Sequence, residues 1–287
     1  MNHENFIVPP DKGVSVKDMD PGFTGKFGEK KDAAGKLEDD LGKLEELQAV
    51  LYAQGLNSVL IILQAMDAAG KDSVVKHVMS GLNPQGVTVT SFKVPSAEEM
   101  RHDFLWRCVK ALPERGQIGI FNRSYYEETL IVRVHPEILE GQLLPPELRG
   151  KDIWKHRFED INTFERHLTR NGTAVLKFFL HVSENEQKKR FLERIDTPQK
   201  NWKFSYADLK ERALWGDYMK AYEEMLNHTS TEWAPWYVVP ADHKWFTRMV
   251  IADVIASCLK SMNLAYPSLT EEHKKELEAA RKELEKD

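Results

Sequence analysis

The chain has 287 residues, of which 41% are hydrophobic and 30% are charged, and its formal net charge is −5. This length predicts one large domain, or a main domain with appendages. The acidic balance argues against a nucleic-acid-binding protein, and no apolar stretch approaches the ~20 residues that span a bilayer. The opening segment MNHENFIVPPDKG lacks the basic start and apolar run of a signal peptide, so we expect a cytoplasmic protein. The two cysteines, Cys108 and Cys258, lie in apolar helical patterns and predict neither a disulfide framework nor a zinc site.

Composition divides the chain into three parts. Residues 1–36 are rich in Gly, Pro, Lys and Asp and predict an extended arm, ordered against the body or a neighbouring subunit. Residues 37–262 carry the patterns of the folded domain, which opens with a leucine-striped helix that ends at Gly55. Residues 263–287 predict a charged helical tail. A solvated surface helix is the plain interpretation of this tail, and a weak oligomer contact is the alternative.

Strands and helices alternate along the central part of the chain. Short apolar runs predict five strands, at residues 58–64, 86–92, 117–122, 173–182 and 236–240. The crossovers are long enough for helices, which indicates an α/β fold with a parallel sheet. Such sheets bind ligands at the carboxyl ends of their strands, and the candidate residues below all lie at such ends.

Polar residues mark where several helices should begin. Ser96 and Glu99 form a capping box for a helix that is expected to end just before Pro113. Ser183 starts a basic helix, and Ser205 starts a long aromatic helix that is expected to pass through Tyr222. Asp242 is predicted to cap the helix after the fifth strand.

The segment AMDAAGKDS, residues 65–73, is similar to a phosphate-binding Walker A loop with two departures. The pattern G-x-x-x-x-G-K-[ST] has Gly where this chain has Ala65, and Ser or Thr where it has Asp72. The chemistry depends on backbone N–H groups that wrap a phosphate at a helix N-terminus. The small residues Ala68, Ala69 and Gly70 allow the backbone to come close to that phosphate.

Side chains of the loop supply candidates for the chemistry. Lys71 occupies the position that reaches a bound phosphate, and Asp67 offers a hard oxygen ligand for Mg²⁺ in place of the missing hydroxyl. Asp72 and Ser73 open the following helix and belong to the same phosphate-binding set. The alternative is a tight strand-to-helix turn that happens to carry a lysine. The position between a buried strand and an amphipathic helix favours phosphate binding.

A second group of candidates follows the third strand. P-loop nucleotide kinases usually place Asp at the end of this strand, where Asn122 stands here, and Arg123 is placed to bind a transferring phosphoryl group. A structural Arg–Glu pair is the alternative role for this arginine. Glu127 and Glu128 diverge by about 100° on a helix, so only one can face the site, and we favour Glu127 as catalytic residue and metal ligand. Arg133 is a further candidate phosphate contact.

The third group is a basic segment in an acidic protein. Arg190 and Arg194 are four residues apart and share a helix face, with lysines at 188, 189, 200 and 203. A solvated charged helix is the common explanation for such a run. The sharper hypothesis is a mobile arginine lid over phosphates, at about residues 184–204. Lys93, after the second strand, is another candidate phosphate contact.

Together these motifs resemble the family-2 polyphosphate kinases. The resemblance covers roughly residues 30–262 and rests on AMDAAGKD, FKVPSAEE, GIFNRSYYEE, RVHPE, ERHL, KKRFLERIDTPQKNWKFS and VVPADHKWF. It implies a P-loop kinase-like fold, related to thymidylate kinases, with three layers, a five-stranded parallel sheet and a helical lid. The stretch FNRSYYE is similar to the branch that accepts both nucleoside mono- and diphosphates.

The resemblance also implies an activity: reversible, Mg²⁺-dependent phosphoryl transfer between inorganic polyphosphate and nucleotides, which forms ADP from AMP and ATP from ADP. Asp67 and Lys71 would be the metal ligand and phosphate lysine of the loop, and Asn122 and Arg123 the pair at the strand end. Arg190 and the arginine one turn later would belong to the lid. Mn²⁺ is a substitute ion and guanine nucleotides are further candidate substrates. A homo-oligomer, dimer or tetramer, is expected, and neither nucleic acid nor a membrane is an expected partner.

Two other functions fit the same loop. An ATP-dependent nucleoside monophosphate kinase would convert AMP with ATP in the absence of polyphosphate. A non-catalytic nucleotide or polyphosphate sensor would bind without transferring phosphate, and the basic lid argues against it.

Overall fold

The computed structural model describes residues 1–10 and 12–286 of the chain. Its strands are β1 Ser58–Gln64, β2 Val87–Ser91, β3 Ile118–Asn122, β4 Thr173–His181 and β5 Trp236–Pro240. They form one sheet in the order β2-β3-β1-β4-β5, and every neighbouring pair is parallel. The predicted α/β fold with a five-stranded parallel sheet is therefore confirmed.

Helices connect the strands and cover the sheet. In chain order they are α1 Lys30–Gln54, α2 Lys71–Val78, α3 Trp106–Val109, α4 Ile131–Val134, α5 Pro136–Gly141, α6 Ile153–Arg170, α7 Glu184–Asp196, α8 Tyr206–Ala213, α9 Trp215–Thr229, α10 Lys244–Ser261 and α11 Glu271–Leu284. In the described residues, no helix is both long and apolar enough to cross a membrane.

Two groups of helices sandwich the sheet. Helix α10 packs on α1, α2, β4 and β5, whereas α6 packs on β4 and α9. All seven residues of β1 are buried, as expected for a central strand that is covered on both faces. Strand β4 turns one face toward α6 and α9: Phe179 stacks on Tyr222 of α9, with 4.4 Å between ring centroids, and the Lys177 ammonium reaches Glu165 of α6 at 2.7 Å.

The prediction of a long helix after Ser96 is wrong. Its capping box does form, since the Ser96 N–H donates to a Glu99 carboxylate oxygen at 2.6 Å and the Glu99 N–H to Ser96 Oγ at 3.2 Å. The chain then makes only a 3₁₀ turn, Glu99–Arg101, before the short α3. The Asp103 carboxylate accepts the Leu105 N–H at 2.9 Å, and this local bond competes with helix continuation.

Two other helix expectations also differ from the structure. The aromatic helix after Ser205 is two helices, because at Leu214 the backbone N–H bonds back three residues, to Glu211 O. Asp242 does not cap α10, whose N-terminal flanking residue is His243. The Asp242 carboxylate instead accepts the Ser183 N–H at 2.7 Å, and this bond joins the ends of β4 and β5.

The N-terminal residues lie against the body. Val8 N–H donates to Trp236 O at 2.9 Å, Val238 N–H donates to Phe6 O at 2.7 Å, and Ile7 pairs antiparallel with Tyr237 beside β5. Helix α1 begins at Lys30, so it crosses the predicted boundary between residues 36 and 37. At the other end of the chain, α11 buries none of its residues.

Candidate functional site

The loop between β1 and α2 lies at the carboxyl edge of the sheet. Strand β1 ends at Gln64, and Leu63 is level with Asn122, the last residue of β3. Gly70 has a φ of 120° and Ala68 a φ of 62°, so the loop turns through left-handed backbone that suits the glycine and strains the alanine. Such a turn delivers the N-terminus of α2 to the strand ends, as phosphate binding requires.

Arg123 brings two carboxylates together at this edge. Its backbone also adopts a positive φ, 66°, and its N–H donates to Leu63 O at 3.1 Å. One guanidinium nitrogen, Nη2, lies 3.0 Å from Asp67 Oδ1, and the other, Nη1, lies 3.4 Å from Glu127 Oε2. These two contacts use two of the five N–H donors of an arginine. The structure therefore joins the loop and the third strand through three of the predicted site residues.

Lys71 points back into the same loop. Its half-buried ammonium donates to Ala65 O at 2.8 Å. Burial, together with the positive charge of Arg123, lowers the pKa of Lys71 from 10.5 to about 8, although Asp67 and Glu127 act in the opposite direction. A bound anion would relieve this cost by supplying the missing negative charge.

Glu127 and Glu128 face different surroundings, as predicted. Glu127 lies in the site, where Gln64, with its amide nitrogen turned toward the carboxylate, donates to Glu127 Oε1 at 2.9 Å. Burial raises the pKa of Glu127, and Arg123 and Lys71 counteract it. Glu128 is buried elsewhere and pairs with Arg157.

Arg190 departs from its expected place as a phosphate-facing lid residue. Its side chain is only 4% exposed, and its guanidinium donates to four backbone carbonyls, those of Ala68, Ala69, Ala241 and Asp242, at 2.6–3.0 Å. Its Nε donates to Glu186 at 2.9 Å. In this structure Arg190 holds the phosphate-binding loop to the end of β5, and no N–H of the guanidinium points to open space.

Arg194, by contrast, is only weakly tied. It contacts Lys203 O at 3.3 Å and Asp208 Oδ2 at 3.5 Å, and both its side chain and that of Asp208 are about one-fifth exposed. It lies one turn further from the loop than Arg190, on a helix that continues to Asp196.

The remaining predicted contacts are spread around the loop. Asn122 Nδ2 donates to Asp72 Oδ1 at 2.9 Å, which ties the strand end to the first turn of α2. Ser73 Oγ accepts from Arg248 at 2.6 Å. Lys93 is exposed beyond β2, whereas Arg133 pairs with Glu224 and lies over the Trp154 ring.

Sequence reasoning missed two contacts with the loop. Gln187 is buried, and its Nε2 donates to Asp67 O at 2.9 Å. It stands three residues before Arg190, so both side chains leave α7 on the same face. That spacing was available as a signal, but only a structure reveals that this face meets the loop. The contact of Arg248 with Ser73 is likewise visible only in the structure, where α10 places the two side chains together.

Two carboxylates could hold a metal ion here. Among the described residues, no group of three or more His, Cys, Asp or Glu side chains is arranged to bind one. Mg²⁺, however, is commonly held by one or two carboxylates together with substrate phosphates and water. Asp67 and Glu127, which share Arg123, fit that kind of donor set.

Comparison with known proteins identifies the family of this chain. The family model for Polyphosphate kinase 2 matches residues 28–267. The chain is 55% identical over 249 residues to an ADP-polyphosphate phosphotransferase of Rhodopseudomonas palustris, covering 86% of each protein. It is 43% identical to an AMP/ADP-polyphosphate phosphotransferase of Meiothermus ruber, covering 92% of this chain and 95% of that protein.

A solved structure has the same fold. The crystal structure of Polyphosphate Kinase 2 from Arthrobacter aurescens TC1 superposes with a TM-score of 0.86 at 40% identity, covering 96% of each chain. The family match spans the phosphate-binding loop, the third strand with Arg123, and the basic helix α7. The chain belongs to the polyphosphate kinase 2 family.

Proposed function

We propose that this protein transfers the terminal phosphoryl group of inorganic polyphosphate to AMP and ADP, and catalyses the reverse reaction. The observation that carries the proposal is the meeting of Asp67, Lys71, Arg123 and Glu127 at the carboxyl ends of β1 and β3. Phosphoryl transfer depends on positioning and on charge neutralisation. This site offers two cations and two carboxylates that interact through their charges.

Different residues of the site bind, neutralise and position the phosphates. Backbone N–H groups of residues 68–71 and the N-terminus of α2 bind a phosphate, and Lys71 leaves Ala65 O to neutralise it. Arg123 contacts the oxygens of the transferring group with the N–H donors that Asp67 and Glu127 leave free. Asn122 keeps Asp72 beside the strand end, so the first turn of α2 stays in place.

A divalent ion completes this arrangement. We propose Mg²⁺, held by Asp67 and Glu127, with Mn²⁺ as a substitute. When bound, the ion would supply positive charge that neutralises the substrate phosphates. Glu127 suits this task because it is only 14% exposed and is oriented by Gln64, whereas Glu128 is committed to Arg157.

The helical segment 184–204 is proposed to form the lid, of which the part beyond Arg190 closes, and the chain is proposed to work as a homo-oligomer. Arg194 and the lysines beyond it contribute positive charge near the loop. Lys93 and Arg133 stay as proposed phosphate contacts, of which Arg133 would first have to leave Glu224.

The experiment that tests the function omits ATP. The purified protein is incubated with Mg²⁺, long-chain polyphosphate and either AMP or ADP, and the nucleotides are separated by chromatography. We expect ADP and ATP from AMP, and ATP from ADP; GMP and GDP tested in the same way show whether guanine nucleotides are accepted. ATP from ADP alone would restrict the acceptor, as the name of the Rhodopseudomonas palustris relative suggests for that protein.

The same experiment separates the alternatives. Conversion of AMP only when ATP is supplied would indicate an ordinary nucleoside monophosphate kinase. Saturable binding of polyphosphate without any product would indicate a sensor. Either result would refute the proposed function.

A further inference from the structure

A buried group of polar side chains adjoins the 3₁₀ turn that carries Glu127. Glu165 of α6 and Lys177 of β4 form an ion pair at 2.7 Å, and neither side chain has any exposed surface. The hydroxyl groups of Tyr125 and Tyr126, in the turn itself, both donate to Glu165 Oε1, at 2.9 and 2.7 Å. We call these four side chains, of Glu165, Lys177, Tyr125 and Tyr126, the buried network.

The hydrogen bonds of the buried network are complete. The Lys177 ammonium donates to Tyr126 OH at 3.0 Å and to Thr229 O at 2.6 Å, in addition to its bond with Glu165. These bonds use all three N–H donors of a lysine. Burial, followed by the charge of Glu165, raises the pKa of both tyrosines, so their hydroxyl groups keep their protons and act as donors. Each donor therefore has a defined acceptor.

Helix α6 holds the turn on both sides of Glu127. Glu165 binds the two tyrosines that precede it. Arg157, two turns earlier on α6, pairs with the carboxylate of Glu128 and donates to Glu128 O at 3.1 Å. Glu127 is the residue between these anchors, and its Oε2 lies 3.4 Å from Arg123 Nη1 in the site. The backbone on each side of Glu127 is thus fixed by a charged residue of the same helix.

A buried ion pair adds little to stability by itself. The cost of removing two charges from water offsets their attraction, and apolar side chains of similar size in such places often leave stability unchanged or raise it. Hydrogen bonds, in contrast, have defined lengths and angles. The bonds to Glu165 fix where both tyrosine rings lie, and with them the start of the turn.

We propose that the buried network is a positioning unit for Glu127, which holds its carboxylate against Arg123 at the place of phosphoryl transfer. This inference rests on the proposed function. All four side chains of the network are fully buried, so they touch neither substrate nor a bound ion and act only through Glu127. Without the network, the carboxylate of Glu127 shifts, and the site holds a divalent ion less well.

Two variants remove the buried network to different extents. Tyr126→Phe removes one hydroxyl group and keeps the ring, whose centroid lies 4.8 Å from that of Trp236. The apolar variant combines Tyr125→Phe, Tyr126→Phe, Glu165→Leu and Lys177→Met, so that no unpaired charge stays in the core.

The matched control removes a polar pair at the opposite edge of the sheet. Ser58 and Thr173 are the first residues of β1 and β4, and their hydroxyl groups lie 2.9 Å apart. Ser58→Ala with Thr173→Val deletes this hydrogen bond far from the strand ends that carry the site. The control should match wild type in every kinetic constant.

The measurement follows transfer from long-chain polyphosphate to ADP as a function of Mg²⁺ concentration, well below the Tm of each protein. We expect the apolar variant to lower kcat about tenfold and to raise the half-saturating Mg²⁺ concentration about tenfold, as when a residue that orients a metal ligand is lost. KM for ADP should stay within about twofold of wild type, and Tm within about 4 °C. Tyr126→Phe should change kcat and the Mg²⁺ dependence in the same direction by a smaller factor.

Two results would overturn the inference. An apolar variant with wild-type kcat and Mg²⁺ dependence would show that the network serves packing alone, whatever its Tm. A rise in KM for ADP with kcat and Mg²⁺ dependence unchanged would show that it shapes the acceptor site and not Glu127. If the apolar variant does not fold, Tyr126→Phe decides by the same two criteria.

Crystal structures of the wild-type and variant proteins, both without substrate, separate this inference from the proposed function. The distance between Arg123 Nη1 and Glu127 Oε2, 3.4 Å here, is the readout. A Glu127 carboxylate that has left Arg123 in the variant supports the positioning role even if wild type transfers no phosphate. An unchanged contact rejects this role even if wild type is an active kinase.

Discussion

Replacement of Arg190 by Met tests whether this arginine holds the loop or binds phosphate. The guanidinium makes five hydrogen bonds, four to backbone carbonyls and one to Glu186, and the side chain is 4% exposed. Met fills a similar volume without any donor. The carbonyls of Ala69 and Ala241, both buried residues, would then lose their charged partner in a place that water reaches poorly.

The expected loss of stability is large. Hydrogen bonds to charged groups contribute about 1.5–3 kcal/mol each but do not add, and breaking a buried charge network costs about 3–5 kcal/mol. We therefore expect the free energy of unfolding to fall by about 3–5 kcal/mol. At ~2 °C per kcal/mol for a protein of this size, Tm should fall by about 6–10 °C.

Urea unfolding and thermal scans measure the effect, with Arg194→Met as the matched control on the same helix. Arg194 makes only two long contacts, at 3.3 and 3.5 Å, so its replacement should cost under ~1 kcal/mol. If Arg190→Met unfolds like wild type while KM for polyphosphate rises, Arg190 is a phosphate-binding residue and the reasoning above is refuted. Transfer activity alone does not decide, because a displaced loop also lowers it.

Three further predictions concern the site itself. Glu128→Gln should destabilise the protein by about 3–5 kcal/mol in urea unfolding, because Arg157 would stay buried without its charged partner. Glu127→Gln should leave the free energy of unfolding within ~1 kcal/mol of wild type and lower kcat at least about a hundredfold. The opposite pattern would exchange the roles of the two glutamates. Lys71→Met should raise the free energy of unfolding at pH 7 by at most about 3 kcal/mol. This gain over wild type should shrink between pH 8 and pH 10.5, because in wild type the unfolded chain binds the Lys71 proton more tightly than the folded chain does. A gain that does not change with pH would contradict a lowered pKa of Lys71. Asp67→Asn should abolish transfer while leaving Tm nearly unchanged, and EDTA should abolish wild-type transfer until Mg²⁺ or Mn²⁺ is added back; near-normal activity of Asp67→Asn would remove that carboxylate from the mechanism.

The strands and the loop could be predicted from the sequence because their signals are local. The run SVLIILQ is apolar from Val59 to Leu63, and every one of its residues is buried in β1. The small residues and the lysine of the loop follow this run directly, so their place at the strand end required no knowledge of the rest of the chain. Helix ends were less predictable. A bond from Asp103 to Leu105 N–H was enough to interrupt a helix that the periodicity of Phe104 and Cys108 favoured.

Glu127 and Glu128 diverge as predicted, but on a different backbone from the one assumed. The argument assumed an α-helix with about 100° between neighbours, whereas residues 125–129 form a 3₁₀ turn, where the angle is about 120°. Neighbouring side chains diverge in both cases, so Glu127 and Glu128 still part. What spacing could not supply was the choice between them, which depends on Arg157 of α6 reaching one and Arg123 reaching the other.

The place of Arg190 limits how a lid could move. Helix α7 is bound to the loop by Gln187, at Asp67 O, and by Arg190, at Ala68 O and Ala69 O. Since these bonds hold the first two turns of α7 to the phosphate-binding loop, that part of the helix moves with the loop and not over it. Beyond Arg190 the contacts weaken, and the 3₁₀ segment Pro198–Lys203 carries Trp202 with 78% of its surface exposed. A lid that closes on phosphates must therefore bend after Arg190, which assigns closure to Arg194 and the lysines that follow.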